Sequence, residues 1–376
     1  MIDQCTHYPD GFDQAYPHIL QDLVSRGTRV TPRPGTSLGE TLEIVNYQFS
    51  IPGTMPLFRG ASRRFSLPFM FIEPVYLFTT QDNQDIAGTL IAYAPNLKKL
   101  AFNEARKEFD GNYGDRIHLR GLDSTGLLTR TIAGSQLVRA YNILRADPNS
   151  RRAVVTIHNP LWDIVDGKSI DIPCTLNLQF LIRDKRLHCL ATMRSNDVWY
   201  GTQYNVFQFT FLQRAMASWL GIEAGTYFHR VNSMHLYLAH CEKALILCER
   251  CFSKVEDKLP LPPVFNYPHH RSPEDTYLRM RDIMAFEKRL RLEADTSFEA
   301  AHEYEAFLKD LLLDFFGLLK SQESVVFCDS FRHNRSVPPN TMTTTVKTPI
   351  PERRKTRSIE QSDDGSEPTS AYVNQD

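Results

Sequence analysis

The chain has 376 residues, a net charge of −1 at pH 7, and 42% hydrophobic, 11% aromatic and 23% charged residues. These values indicate a soluble globular protein with ample core, and they exclude a global electrostatic attraction to nucleic acid or membranes. Any bound anion must therefore be held by a local cluster of arginines.

The N-terminus, MIDQCTHYPDGFDQ, lacks the basic and apolar regions of a signal peptide, and no run of about 18 apolar residues could span a bilayer. The seven cysteines are odd in number and spread along the chain. We therefore expect a cytoplasmic protein with reduced thiols and no membrane contact.

Four runs have the composition of β-strands. Residues 40–51 (ETLEIVNYQFSI) and 151–158 (RRAVVTIH) are rich in β-branched and aromatic residues. Residues 175–182 and 187–193 flank the polar sequence RDKR, and this arrangement predicts a hairpin.

Cys174 stands directly before the first strand of this hairpin and follows Pro173. The alternation behind it predicts one face with Leu176, Leu178, Phe180 and Ile182 and another with Thr175, Asn177 and Gln179. A buried structural cysteine is one interpretation of this position. A reactive thiol at the mouth of a strand is the other.

The second half of the chain contains helical patterns. Residues 206–220 (VFQFTFLQRAMASWL) predict a long apolar helix that ends at Gly221, and residues 274–292 and 297–320 carry apolar residues at helical spacing. Cys248 and Cys251 form a CxxC sequence on another helical run. Since no second pair lies at zinc spacing, core packing is the favoured interpretation, and a redox switch is the weaker alternative.

From about residue 333 the chain is rich in Pro, Ser, Thr and charged residues, with a single aromatic. Such a segment cannot bury enough apolar surface to fold, so we expect a disordered tail at 333–376. Its basic residues, 353–357, suit a polyanion, but a solvated tail is the favoured interpretation.

Three arginine positions could form a phosphate site. Arg151 and Arg152 precede a strand, Arg194 and Ser195 end the hairpin, and Arg33 lies in a Gly/Pro-containing loop. Guanidinium groups and a serine hydroxyl make a good phosphate clamp, although each alone could be an ordinary surface charge.

Together these residues resemble the thymidylate synthases and the related pyrimidine hydroxymethylases. Motifs similar to the family's occur in family order: RPGT (33–36), EPVYLF (73–78), NYG (112–114), DPNSRR (147–152), IPC (172–174), RSND (194–197), GTQYNVFQF (201–209) and HLYLAH (235–240). The resemblance covers roughly residues 20–250 and implies an α+β fold with a large mixed β-sheet flanked by helices. The expected organisation is a catalytic domain at 1–255, a C-terminal helical extension at 256–332 and the tail.

The resemblance also implies residue roles. Cys174 is expected to add to C6 of the pyrimidine, with Glu73 and Tyr113 organising water and proton transfers. The implied nucleotide-binding residues are Arg33, Arg151, Arg152, Arg194, Ser195, Asn205, His235 and Tyr237. The implied cofactor-binding residues, for the co-substrate 5,10-methylenetetrahydrofolate, are Asp197, Gly201, Phe102 and Arg63. Arg151 and Arg152 are expected to reach the phosphate of the other subunit in a homodimer. No metal is expected.

The implied chemistry explains these residue types. A thiolate that adds at C6 makes C5 nucleophilic, and so divides a difficult step into two. Because the thiolate is the reactive form, we expect the arginine cluster to depress the pKa of Cys174. Charge that develops on the pyrimidine carbonyl needs fixed donors, a role for Asn205, and the C5 proton needs a base.

The chain departs from the synthase pattern at several positions. Phe102 and Ala105 stand where the synthases carry tryptophans near the folate, Thr175 replaces the usual histidine after the nucleophile, and Ser233 replaces an aspartate. The chain also continues into helices and a polar tail instead of ending in a short apolar lid. A synthase must exclude water from its methylene intermediate, so these departures favour attack by water and a hydroxymethyl product.

Our expectation is therefore C5 hydroxymethylation of a pyrimidine nucleoside 5′-monophosphate. Reductive methylation of dUMP, as in thymidylate synthase proper, is the alternative, and a non-catalytic nucleotide- or RNA-binding member is the second alternative. An asparagine at 205 favours uracil, and the pair His235 and Tyr237 favours deoxyribose, while cytosine and ribose stay open. We do not expect nucleic acid as a partner of the catalytic form.

Overall fold

The computed structural model describes residues 5–31, 39–63, 65–79, 86–105, 107–118, 121–122, 128–129, 134–163, 171–259, 264–265 and 272–292. The chain divides into two units, residues 1–339 and 340–376, and every described residue lies in the first. Arg33, the helix expected at 297–320 and the tail expected at 333–376 lie outside the described residues.

The helices are α1 (Phe12–Arg26), α2 (Leu67–Tyr76), α3 (Ile86–Tyr93), α4 (Leu97–Leu100), α5 (Tyr113–Ile117), α6 (Gln136–Ala146), α7 (Pro160–Asp163), α8 (Thr202–Leu220), α9 (Cys241–Phe252) and α10 (Pro273–Leu292). The strands are β1 (Thr6–His7), β2 (Thr28–Val30), β3 (Thr41–Pro52), β4 (Phe102–Asn103), β5 (Glu108–Phe109), β6 (Gly121–Leu122), β7 (Leu128–Thr129), β8 (Val154–Thr156), β9 (Thr175–Arg183), β10 (Arg186–Met193), β11 (Asn196–Asp197) and β12 (Glu223–Tyr237).

One mixed sheet organises the described residues. Its strand order is β1–β3–β12–β10–β9–β8, with β2 also paired to β3 and β11 also paired to β12. β12 pairs in parallel with β10 and β11, whereas β9 pairs antiparallel with β10 and β8. The α+β class and the large mixed sheet expected from the sequence are therefore confirmed.

The hairpin predicted around RDKR consists of β9 and β10. Asp184 and Lys185 form its turn with positive φ angles of 50° and 58°, the conformation that a two-residue turn needs to match the twist of its strands. At the other end, Thr192 pairs with Asn177 but Met193 pairs with Thr175, so Leu176 is an extra residue, a β-bulge. The bulge shifts the alternation, and Thr175 is fully buried. The prediction that Thr175 shares the polar face was therefore wrong.

The apolar helix predicted at 206–220 is α8, which begins four residues earlier, at Thr202. Gly221 ends it with φ 67° and ψ 29°, the left-handed conformation in which glycine carries no steric cost. Nearly every side chain of α8 is buried. α8 packs against β10 and β12 on one face of the sheet, so the core lies between the sheet and this helix.

The helix expected at 274–292 is confirmed as α10, and it packs on the same core. Met280 and Ile283 are buried. The Tyr277 hydroxyl lies 2.6 Å from Ser135 Oγ, and the Trp219 indole N–H donates to Thr276 Oγ1 at 2.9 Å. This helix of the extension is therefore part of the globular unit.

Two further findings concern the described residues alone. None of their helices combines the length and the hydropathy needed to cross a membrane. They also contain no group of three or more His, Cys, Asp or Glu side chains placed to hold a metal ion.

Candidate active site

Cys174 lies at the open end of the hairpin, directly before β9 and opposite the turn at Asp184 and Lys185. Its carbonyl accepts a hydrogen bond from the Arg194 N–H at 2.8 Å, so the backbone beside the thiol is tied to the end of β10. The cysteine is free and partly exposed. The strand register and Pro173 fix its position, as the sequence indicated.

The Arg194 guanidinium packs against the same segment. Its Nε donates to the Pro173 carbonyl at 3.0 Å and its Nη2 donates to the Ile172 carbonyl at 2.8 Å. Burial raises the pKa of the Cys174 thiol. The positive charge of Arg194 opposes this shift, whereas the carboxylates of Asp171 and Asp197 add to it. The expectation of a depressed pKa was therefore wrong for the chain by itself, because desolvation outweighs the one nearby described arginine.

Tyr113 contacts the residue after the nucleophile. Its hydroxyl oxygen accepts a hydrogen bond from the Thr175 N–H at 3.2 Å. Burial raises the pKa of Tyr113 far above its usual value, so the phenol keeps its proton at neutral pH. A neutral hydroxyl that accepts from the backbone has its own proton available for a second partner.

Glu73 projects inward from α2. Burial raises its pKa to about 8, and its Oε2 is buried with no hydrogen-bond partner among the described residues. A carboxyl group of this kind holds its proton at neutral pH and can donate it. The role of Glu73 in proton transfer, which the resemblance implies, stays a prediction.

The neighbouring strands β11 and β12 bring four predicted residues together. Asp197 pairs with His235 across the two strands. Ser195 Oγ lies 3.4 Å from His235 Nδ1, and the His235 and Tyr237 rings meet edge-to-face at 5.5 Å. The sheet therefore assembles one polar surface from residues 40 positions apart in the chain.

Asp197 also shapes the loop that follows it. Its Oδ1 accepts from the N–H groups of Trp199 at 2.7 Å and Tyr200 at 3.1 Å. Burial raises the pKa of Asp197, while the charge of His235 opposes the shift. Its Oδ2 has no hydrogen bond to the described residues, so it can accept from a donor on a bound ligand, which is compatible with a pterin.

Arg63 stabilises the same loop. Its Nη2 donates to the Trp199 carbonyl, and its guanidinium lies 4.4 Å from the Trp199 ring centroid and 4.5 Å from that of Phe65. Trp199 in turn stacks on His240 at 5.4 Å. Arg63 therefore positions the Asp197 loop in this structure through cation–π contacts.

Asn205 lies in the first turn of α8 beside Gly201. Its Oδ1 accepts a hydrogen bond from Asn196 Nδ2 at 2.9 Å. A Cβ added to Gly201 would lie 3.0 Å from Asn196 Nδ2 and 3.3 Å from Asn205 Oδ1. The glycine therefore leaves the space in which these two amides meet.

The two predicted arginines in the turn before β8 lie apart from Cys174. Arg151 and Arg152 are exposed in the turn before β8, and neither side chain has a hydrogen bond or ion pair with the described residues. Since Val154 pairs with Gln179, Arg152 lies beside β9 about 20 Å along the strand from the thiol. Phe102 is half-buried on β4 and packs edge-on against Phe109 at 5.5 Å.

Comparison with known proteins identifies the family of this chain. The family model described as thymidylate synthase matches residues 14–264, two thirds of the chain. The chain belongs to the thymidylate synthase family. The resemblance found in the sequence motifs is therefore confirmed.

Relatives of two kinds are similar to this member. It is 31% identical over 227 residues to the deoxyuridylate hydroxymethyltransferase of Bacillus phage SP01, a match of 60% of this chain and 57% of that enzyme. It is 32% identical over 252 residues to the thymidylate synthase of Bacillus subtilis subsp. natto, and 24% identical over 250 residues to thymidylate synthase 1 of Bacillus subtilis strain 168. Each of the latter matches covers 64% of this chain and 84% of the relative.

Family membership places the chain among the transferases of nucleotide biosynthesis that carry a one-carbon unit to a pyrimidine nucleotide. The family's co-substrate is methylenetetrahydrofolate, and the free Oδ2 of Asp197 near His235 is compatible with it. The sequence motifs gave no role to Asn196, which lies within the RSND motif, or to His229 and Tyr227; together these residues form a buried hydrogen-bonded network next to α8. Their signal was weak, since polar residues alternating in a strand usually mark an exposed face.

Proposed function

We propose that this thymidylate synthase family member transfers a one-carbon unit from 5,10-methylenetetrahydrofolate to C5 of a pyrimidine nucleoside 5′-monophosphate and releases a hydroxymethyl nucleotide. The observation that carries the proposal is the position of the Cys174 thiol. It lies beside Tyr113 and Arg194 and shares the end of the sheet with Asp197 and His235.

Cys174 acts as the nucleophile in this proposal. Its Sγ forms a bond to C6, and the electron pair of the C5–C6 double bond moves toward the C4 carbonyl, which makes C5 nucleophilic. Because burial keeps the thiol protonated in the free chain, thiolate formation requires added positive charge or a base. The phosphate-binding arginines expected at 33, 151 and 152 supply that charge when the nucleotide binds.

Glu73 and Tyr113 handle protons. Glu73 is protonated at neutral pH because of its burial, and it donates through water to the pyrimidine carbonyl as negative charge develops there. Tyr113 is held by the Thr175 N–H, so its proton points toward the site and not toward the backbone. The C5 proton leaves to a water molecule positioned by these groups.

The residue types at the expected folate site favour water as the final nucleophile. Phe102, where the synthases carry a tryptophan, packs edge-on against Phe109. A smaller aromatic group leaves space for water near the one-carbon unit. The similarity to the phage SP01 deoxyuridylate hydroxymethyltransferase supports the same product.

Methylation is the second candidate, supported by the similarity to the Bacillus subtilis subsp. natto thymidylate synthase. The two reactions differ in one product, since methylation oxidises the folate to dihydrofolate and hydroxymethylation returns tetrahydrofolate. A non-catalytic nucleotide-binding protein is the third candidate. Glu73, whose Oε2 has no partner among the described residues, and the partly exposed thiol of Cys174 speak against it, because binding alone requires neither.

We propose a homodimer formed through the sheet face opposite α8. Val45 is 72% exposed there, and Arg230 and Asn232 are exposed on the neighbouring strand. Because Arg151 and Arg152 lie far from Cys174 of their own chain, they serve a site of the partner subunit in this arrangement. Light scattering would show twice the chain mass.

The test is a product assay with methylenetetrahydrofolate and each of dUMP, dCMP, UMP and CMP, with the Cys174→Ala variant as control. Absorbance follows dihydrofolate while mass spectrometry weighs the nucleotide. A hydroxymethyl mass without dihydrofolate is expected. A methyl mass with dihydrofolate makes the protein a synthase, and no product from any nucleotide supports the non-catalytic alternative.

A further inference from the structure

A chain of buried polar side chains connects β12 to Asn205. The Tyr227 hydroxyl lies 2.7 Å from His229 Nδ1, and His229 Nε2 lies 3.0 Å from Asn196 Oδ1. Asn196 Nδ2 donates to Asn205 Oδ1 at 2.9 Å. Tyr227 and His229 are fully buried and Asn196 is 4% exposed, whereas Asn205 is only half-buried.

The Tyr227 hydroxyl determines which atom donates in each hydrogen bond of this network. It has His229 Nδ1 as its one hydrogen-bond partner among the described residues. If His229 donated to the tyrosine, the phenol proton would be buried without an acceptor, and buried donors in proteins are rarely left unpaired. Tyr227 therefore donates to Nδ1.

The protonation of His229 in turn determines the orientation of the Asn196 and Asn205 side-chain amides. Burial lowers the pKa of His229 to about 3, so the ring is neutral and carries a single N–H. With Nδ1 accepting, that N–H is on Nε2 and donates to Asn196 Oδ1, which also accepts from Thr202 Oγ1 at 2.8 Å. Asn196 must then turn its NH₂ group toward Asn205.

From this geometry we infer that Tyr227, His229 and Asn196 are positioning residues that determine the pyrimidine base by fixing the amide of Asn205. The inference rests on the proposed function, which puts the base at Asn205. With its Oδ1 held by Asn196, Asn205 presents an NH₂ donor to the acceptor at position 4 of uracil. Its second oxygen lone pair accepts from the uracil N3–H.

Cytosine presents the opposite pattern, an amino donor at position 4 and an acceptor at N3. Matching it requires rotation of the Asn205 amide by about 180°, which breaks the bond to Asn196 and sets two NH₂ groups against each other. The loss of a buried hydrogen bond and the unpaired donor correspond to a preference of about 10- to 100-fold for a uracil nucleotide.

The test measures equilibrium binding of dUMP and dCMP to the full chain by calorimetry, in a Cys174→Ser background that prevents covalent addition. Tyr227→Phe removes the hydroxyl that sets the direction, and Asn196→Ser removes the donor to Asn205. The matched control is Tyr277→Phe, which also deletes a buried tyrosine hydroxyl bound to one side chain, Ser135 Oγ, but outside this network.

The parent is expected to bind dUMP about 10- to 100-fold more tightly than dCMP. Tyr227→Phe is expected to lower this ratio about fivefold, Asn196→Ser is expected to bring it within about threefold of unity, and Tyr277→Phe is expected to leave it unchanged. Loss of packing alone would weaken both nucleotides equally, so the ratio separates positioning from a structural effect. Two network variants also protect the test against a failure of one of them to fold.

Three binding results would overturn the inference. If both network variants keep the preference for dUMP, the inference is wrong but the proposed function stands. The same holds if the parent protein prefers dCMP. Binding of neither nucleotide removes the inference, and the proposed function is removed as well if the product assay also shows no turnover of UMP or CMP. Nitrogen NMR of His229 gives an independent check, because the inference requires the proton on Nε2, and a proton on Nδ1 in the dUMP complex contradicts it.

Discussion

Asp163 and Glu73 are both buried carboxyl groups, but their surroundings have opposite effects on them. Asp163 on α7 receives two hydrogen bonds from the Arg116 guanidinium, at 2.7 and 2.8 Å. Burial acts to raise the pKa of Asp163, but the hydrogen bonds and charge of Arg116 outweigh it, and the pKa lies below its usual value. Among the described residues no positive charge opposes the effect of burial on Glu73, and burial raises its pKa to about 8.

The difference is the one expected between a structural acid and an acid that takes part in a reaction, the role proposed for Glu73. A paired buried carboxylate is satisfied and has no reason to exchange protons. An unpaired one costs stability whenever it ionises, which supports the proton-transfer role proposed for Glu73. The same contrast holds for thiols, since Cys189 is fully buried in the core whereas Cys174 is partly exposed.

The Cys174→Ala substitution tests the reactive side of the comparison and has the largest expected effect. We expect turnover to fall more than about a thousandfold because the covalent step is lost, with nucleotide binding within about threefold of wild type. Steady-state kinetics and calorimetry measure both quantities. Cys241→Ala, a change of another partly exposed thiol, is the control, and comparable losses in the two variants would contradict a nucleophilic role.

The Arg116→Met substitution tests the structural side. It leaves Asp163 buried without its cation, and we expect a loss of about 3–5 kcal/mol in the free energy of unfolding at pH 7. The stabilisation from Asp163 exists above the pKa of an unfolded aspartate, near pH 4, and disappears as the pH falls through its lower folded pKa. Urea unfolding at pH 7 and pH 3 measures this. If the loss of stability in the variant were the same at pH 7 and pH 3, the ion pair between Arg116 and Asp163 would not be the source of that loss.

The Glu73→Gln substitution should change the stability in the opposite direction, and increase it at high pH. Between its unfolded pKa of about 4.5 and its folded pKa of about 8, the folded protein binds one proton more than the unfolded chain, so stability falls as the pH rises. We expect the variant to be more stable than wild type by about 1–3 kcal/mol at pH 8 and equal to it near pH 4.5, while turnover drops about a hundredfold.

Thermal unfolding across this pH range measures the Glu73 effect. Glu249→Gln, at an exposed position of α9, is the control and should show no pH-dependent gain. A Glu73→Gln variant that is less stable at pH 8 would show that the carboxylate has a charged partner in solution, and the contrast with Asp163 would fail.

The Tyr113→Phe substitution has the smallest expected effect on stability. It leaves the Thr175 N–H without its acceptor, at a cost of about 1 kcal/mol, and lowers turnover about tenfold because a proton donor is lost beside the thiol. Tyr204→Phe removes the same kind of bond, from the Ser66 N–H at 3.0 Å. Equal loss of turnover in both variants would mean that Tyr113 acts only through stability.

Much of the framework could be predicted from local patterns. The strand at 40–51, the hairpin around RDKR, the helix ended by Gly221 and the helix at 274–292 all agree with β3, β9 and β10, α8 and α10. These elements depend on the periodicity of apolar residues and on the conformational freedom of glycine, which are properties of short segments. The order of the motifs was sufficient to indicate the family.

Other features needed the tertiary structure. The bulge at Leu176, which buries Thr175, arises from the pairing of β9 with β10. The raised pKa values of Cys174 and Glu73 arise from desolvation, which depends on every element packed around them. The direction of the Asn205 amide is set by Tyr227, 22 residues away in the chain. The sequence alone determined which elements form and which family they make, because those signals are local. Proton affinities and hydrogen-bond directions were decided only by folding, because they depend on contacts between distant residues in an environment without water.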